Sequence, residues 1–189
     1  CMKLRHLSLA IALTLPFSTS TLFAAPSAAK TMQVAPSKSE QLEQMYVDYW
    51  EASLKRNPLQ ATFVGDSRYN DQLPNFFTSE YRNESLAFTR TWLKRFEAID
   101  ASNVSGQTRL SHDIMLRSLK LELEGSEFRT DLMPLNQFGN VVGMFAQLGS
   151  GTSAQPFKTV QDYDNWLKRA NKMPELMTQM QVNMREGVK

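Results

Sequence analysis

The sequence predicts an all-α fold, and three observations carry that expectation. From Ser39 onward, apolar residues recur three and four positions apart, the spacing of one face of an α-helix. No segment alternates apolar and polar residues with the period of two that a half-buried strand requires. Helix-boundary residues recur along the chain, at Asn57-Pro58, Gly65, Thr78, Ser105, Thr159 with Asp162, and Pro174.

Each element follows from its own residues. Ser39 can cap a first helix whose stripe is Leu42, Met45, Tyr46, Tyr49, Trp50 and Leu54, with Lys55 and Arg56 facing the negative end of its dipole. Asn57 ends that helix and caps a short second one, with Pro58 at the first helical position and Gly65 as its left-handed stop. Thr78 caps a long helix bearing Tyr81, Phe88, Trp92, Phe96 and Ile99 on one side. After a turn, Ser105 starts a helix carrying Leu110, Ile114, Leu116, Leu119, Leu121 and Leu123. Those leucines exceed one stripe, so this helix is expected between neighbours. Residues 131–156 are the least regular, with a short apolar helix expected at 141–148. Thr159 and Asp162 form a capping box with Asp in place of Glu, and Tyr163, Trp166, Leu167, Ala170 and Met173 then share a face. Pro174 opens a last helix with Met177, Met180 and Met184.

The 189 residues divide into three stretches. Residues 1–24 read as a secretory signal peptide: Lys3 and Arg5, an apolar run at 7–15, Pro16, and cleavage after Ala24 or Ala29. A periplasmic or secreted location follows as an expectation. Residues 25–38 read as a flexible linker of Ala, Ser, Pro and Lys, and 39–189 as a helical domain. Lys plus Arg number 21 against 19 acids, and removal of Lys3 and Arg5 leaves equal numbers. The mature protein therefore has no basic field for nucleic acid, and no stable membrane insertion is expected once the signal is gone. Cys1 stands alone ahead of Met2, so it reads as translation beyond the true start, forms no internal disulfide and is no lipobox cysteine. The wide apolar faces of the leucine-rich helix and the methionine helix want further partners. The sequence is expected to be the incomplete N-terminal part of a longer protein.

Catalytic residues are not expected in this stretch. His6 leaves with the signal, and His112 alone cannot make a two-histidine metal site. Ser111-His112-Asp113 cannot relay a proton as a triad, because adjacent helical side chains point about 100° apart. His112 is read as a surface or helix-packing residue. Residues 149–153 (Gly-Ser-Gly-Thr-Ser) lack the Lys-Ser/Thr of a phosphate loop and read as a mobile linker or lid. Lys168, Arg169 and Lys172 suit the C-terminal end of a helix dipole. The loop residues Asp66, Arg68, Tyr69 and Asp71 admit two readings. In one, Asp66 shapes the loop, Arg68 bridges carboxylates and Tyr69 packs inward. In the other, the loop lines a cleft and Arg68 meets an anion such as a peptide carboxylate.

Pro58-x-x-Ala61-Thr62-x-x-Gly65-Asp66-x-Arg68-Tyr69-x-Asp71-x-Leu73-Pro74 resembles the N-terminal signature of a bacterial family catalogued as domain of unknown function 885. A second stretch adds to the likeness: Phe157-x-Thr159-x-x-Asp162-Tyr163-x-x-Trp166-Leu167-x-Arg169, then Pro174 and Asn183-Met184-Arg185-Glu186-Gly187. The resemblance implies a larger, mostly helical, secreted or lipid-anchored protein similar to gluzincin-type zinc metallopeptidases. It implies a zinc motif of the His-Glu-x-x-Pro-Gly-His kind and a later glutamate, all downstream of this region. Zinc would then belong to the full-length parent, with none held here, and this chain's partners would be the C-terminal part of the same protein and a peptide substrate. Its own share would be the shape of the substrate cleft. A non-enzymatic envelope binding or scaffolding domain is the alternative.

Overall fold

The computed structural model describes residues 35–189 except Phe138, so the expected signal peptide and the linker before Ala35 lie outside the described residues. Seven α-helices follow in order among the described residues: α1 Lys38–Arg56, α2 Pro58–Phe63, α3 Ser79–Glu97, α4 Gly106–Gly125, α5 Val141–Leu148, α6 Val160–Ala170 and α7 Met173–Gly187. Short 3-10 turns at Ser67–Tyr69 and Thr130–Leu132 complete the order, and the only β pairing described is an isolated bridge between Leu135 and Asn140. The fold is all-α. None of the described helices is long and apolar enough to cross a membrane.

Two cores hold these helices. The first joins α1, α3 and α4 through Leu42, Trp92, Phe96 and Leu119, with Ile99, Ala101 and Val104 from the α3–α4 turn closing one end. Rings fill it: Tyr46 stacks on Phe96 at 5.4 Å between centroids, and Tyr49 meets Trp92 edge-on at 5.3 Å. His112 is buried against the same core, and its Nε2 lies 3.1 Å from the Phe96 carbonyl oxygen. It is a helix-packing histidine.

The second core joins α2, α5, α6 and α7, centred on Leu59, Leu73, Phe145, Leu148, Leu176 and Met180. Trp166 of α6 stacks on Phe145 at 4.4 Å. A Cβ at Gly149 would meet the Trp166 ring at 2.5 Å, so the glycine that follows α5 is what lets the indole approach. At its other end the glycine-rich stretch is held by Gln155, which is buried. The expected mobile linker or lid at 149–153 runs between these two packed positions, with Ser150, Gly151 and Thr152 exposed.

Four expectations need correction. Helix α1 is capped by Ser37, two residues before Ser39, because Ser37 and Glu40 form the reciprocal box: Glu40 N donates to Ser37 Oγ (3.2 Å) and Ser37 N to Glu40 Oε2 (2.7 Å). Helix α4 is not enclosed on two sides. It buries His112 and Leu119, while Leu110, Ile114 and Leu121 are each about half exposed (53%, 53% and 51%). In α7 the buried stripe is Met173, Leu176, Met180 and Asn183, which leaves Met177 and Met184 outside. Helix α6 is turned so that Tyr163 and Leu167 face solvent and Arg169 faces inward.

Candidate functional site

The loop between α2 and α3 is built by successive caps. Asn57 Oδ1 accepts from Gln60 N (3.1 Å), which starts α2 at Pro58. Gly65, at φ +86°, ends it: Gly65 N donates to Thr62 O and Asp66 N to Ala61 O (2.8 Å), the paired bonds of a Schellman stop. Asp66 then caps the next turn, its Oδ1 accepting from Arg68 N (3.0 Å).

Arg68 folds back on that carboxylate. Its Nε and Nη2 reach Asp66 Oδ1 and Oδ2 at 2.6–3.0 Å, and Nη2 also reaches Glu51 Oε2 of α1 at 2.8 Å. Its guanidinium lies over the half-buried Tyr69 ring, 5.4 Å from the centroid. These hydrogen bonds to Arg68 hold the Asp66 carboxyl below the ordinary carboxylate range, and the two carboxylates raise the Arg68 guanidinium. Asp71 pairs with Lys168 of α6 at 3.4 Å.

A carboxyl depressed in the folded state stabilises above its ordinary value near pH 4, and that contribution is lost as pH falls through its lower folded value. Asp66→Asn should therefore melt below the wild type at neutral pH and lose less stability on acidification below about pH 4. Melting curves from pH 7 to 2 read both effects. Superimposable acid limbs would remove Asp66 from this role.

Beneath the loop lies the residue that the spacing alone did not single out. Arg169 is fully buried, and its guanidinium binds five oxygens. Nε donates to Gln72 O (3.0 Å) and Nη1 to Gln155 Oε1 (2.6 Å). Nη2 reaches Thr62 Oγ1 (2.7 Å), Pro58 O (3.0 Å) and Tyr69 O (3.0 Å). Thr62 passes the chain on, donating to Asn70 Oδ1 at 2.7 Å. Burial lowers the Arg169 pKa to about 10, opposed by the charge of Asp71, so the side chain stays cationic at neutral pH. One signal in the sequence could have found it: Trp166, Arg169, Ala170 and Met173 fall on one helical face.

The outer side of this buttressed unit borders a cavity of about 400 Å³, walled by Leu59, Gln60 and Phe63 of α2, Pro74 and Phe76 of the loop, Tyr81 of α3 and Met144 of α5, with Asn57 at its edge. The four loop residues read from the sequence do not line it. Asp66 and Arg68 pair with each other, Tyr69 lies under Arg68 and lends its carbonyl to Arg169, and Asp71 faces Lys168.

The donor set does not fit zinc. No group of three or more His, Cys, Asp or Glu side chains among the described residues could hold a metal ion, and His112 directs Nε2 to a backbone carbonyl. No catalytic step can be derived through a metal here.

The model of a family described as bacterial protein of unknown function (DUF885) matches residues 58–189, from the first residue of α2 to Lys189. The chain belongs to that family. The matched region of this DUF885 protein begins at the proline behind the Arg169 clamp and takes in both signature stretches. No curated protein and no solved structure matches the chain.

Proposed function

We propose that this DUF885 chain is the helical N-terminal portion of a secreted or periplasmic metallopeptidase-like hydrolase, supplying a wall of the substrate cleft while zinc and the reacting groups lie elsewhere in the protein. One observation carries the reading: the signature residues put their hydrogen-bonding capacity into shape. Arg169 ties α2, the loop and Gln155 into one unit, and the outer surface of that unit is an apolar cavity with no reacting group on it. That is what a cleft wall needs, because precise positioning of substrate depends on rigid supporting elements. The charge pattern at Lys3 and Arg5 and the apolar run after it support export.

The test uses the protein encoded by the whole gene. Peptide hydrolysis that a chelator abolishes and Zn²⁺ restores is the expected result, with residues 39–189 alone inactive and free of stoichiometric zinc. Hydrolysis that persists in chelator would overturn the proposal. A whole gene product without zinc or hydrolysis would favour the envelope scaffold instead.

A further inference from the structure

The cavity beside α2 has a chemistry of its own. We propose that it is a binding subsite for an uncharged aromatic or long aliphatic side chain presented next to a peptide bond. This rests on the reading of the chain as a cleft wall and names what that wall would grip.

Four observations converge on that class of ligand. The walls are Leu59, Phe63, Pro74, Phe76, Tyr81 and Met144, and among the described residues no carboxylate, amine or guanidinium lines the space. A charged group entering it would lose hydration without a partner, whereas a neutral ring is favoured by leaving water. The cation beside Tyr81 is turned to other work. Arg56 lies over the Tyr81 ring at 4.5 Å, and its Nη2 donates to Tyr81 O and Ser85 Oγ. The volume of about 400 Å³ falls within the range of sites that enclose a small organic group.

The mouth carries amides rather than charges. Gln60 is exposed, and its side-chain amide has no hydrogen-bond partner among the described residues. Asn57, which also lines the space, uses Oδ1 to cap α2. Neutral donors and an acceptor beside an apolar hollow are suited to a peptide unit. Phe63, one of the lining residues, stands 47% exposed among the described residues.

The hollow is also held in shape before any ligand arrives. Arg169 fixes α2 from behind, through Pro58 O and Thr62 Oγ1. Tyr81 is held by its hydroxyl, which donates to Arg56 O at 3.2 Å, and by Thr78 Oγ1, which accepts from Tyr81 N. Binding therefore needs little ordering of the walls.

The experiment titrates N-acetyl-phenylalaninamide into the full-length protein labelled at the methionine methyl groups. A saturable shift of the Met144 methyl with Kd on the order of 1 mM is expected. The α-amide of N-acetyl-aspartic acid, with its free side-chain carboxylate, and N-acetyl-lysinamide should bind at least about tenfold more weakly. Phe63→Ser, at an exposed position that should leave folding intact, should weaken the neutral probe about fivefold or more, and Gln60→Ala about two- to threefold. No saturable shift, equal affinity for the charged probes, or indifference to Phe63→Ser would each overturn the proposal. The outcomes separate it from the hydrolase reading. Hydrolysis without probe binding sinks the subsite alone, and selective probe binding without hydrolysis leaves the subsite standing and removes the enzyme.

Discussion

Replacing Arg169 by methionine should lower the melting temperature by about 10 °C or more, from a loss of roughly 3–5 kcal/mol. The estimate follows from what the guanidinium leaves behind. Methionine fills much of the same space but donates nothing, so Gln72 O and Gln155 Oε1, together with Tyr69 O, Pro58 O and Thr62 Oγ1, lose a charged donor in a buried place. Arg169→Lys keeps the charge but loses the planar fork, and three donors on a point cannot serve oxygens spread over α2, the loop and the segment before α6. It should recover less than half of the loss. Thermal melts of the three proteins decide the matter, and an Arg169→Lys variant as stable as wild type would show that charge alone, not geometry, does the holding.

The same residue sets a pH expectation. Its folded pKa is depressed by burial to about 10, below the ordinary guanidinium range, so above that value the unfolded chain binds the proton more tightly. Stability linked to Arg169 rises with pH only in that alkaline window and is flat below about pH 10.

Phe96→Ala should cost about 3–5 kcal/mol and is the second large effect. Phe96 is fully buried where α3 crosses α1, with Tyr46 stacked on it at 5.4 Å and Tyr49 and Trp92 both at 6.2 Å. Truncation leaves a ring-sized cavity among stiff neighbours that cannot collapse into it. The carbonyl that His112 uses is main chain and survives, so the loss is one of packing. Urea unfolding gives the number, and a change below about 1 kcal/mol would mean the aromatic cluster repacks freely. Because Phe96 and Arg169 belong to different cores, their combined effect should be additive within about 0.5 kcal/mol.

Helix boundaries were legible because their chemistry is local. Asn57-Pro58, Gly65, Thr78 and the Thr159–Asp162 box stop or start helices through atoms three or four residues away, and the sequence shows those neighbours directly. The Ser37-x-x-Glu40 box is equally local, since both of its partners lie within the first turn of α1. The roles around the loop were partly legible. Asp66 and Arg68 are two residues apart and their pairing is local, whereas Glu51 joins them only because α1 runs alongside.

The inward turn of Arg169 was hidden by its company. Flanked by Lys168 and Lys172 near a helix end, it has the surroundings of a solvated dipole partner. Its acceptors are separated from it by as many as 111 residues, and no local pattern announces backbone oxygens waiting at that distance. The outer face of α4 differs from its expectation for a related reason. Leucine content reports a wish for burial, not whether a neighbour is there to satisfy it.

The amino-acid order by itself determined that this protein is all helix and where most helices begin and end, because capping and periodicity act within one or two turns. Only the tertiary structure decided which faces are covered: Met180 with Leu176 rather than Met177 and Met184, Trp166 with Arg169 rather than Tyr163 and Leu167. A helix can rotate by one residue at little local cost, so its inward face is chosen by partners distant in sequence. In this chain the same distant partners, meeting at Arg169, also support the wall beside which the cavity opens.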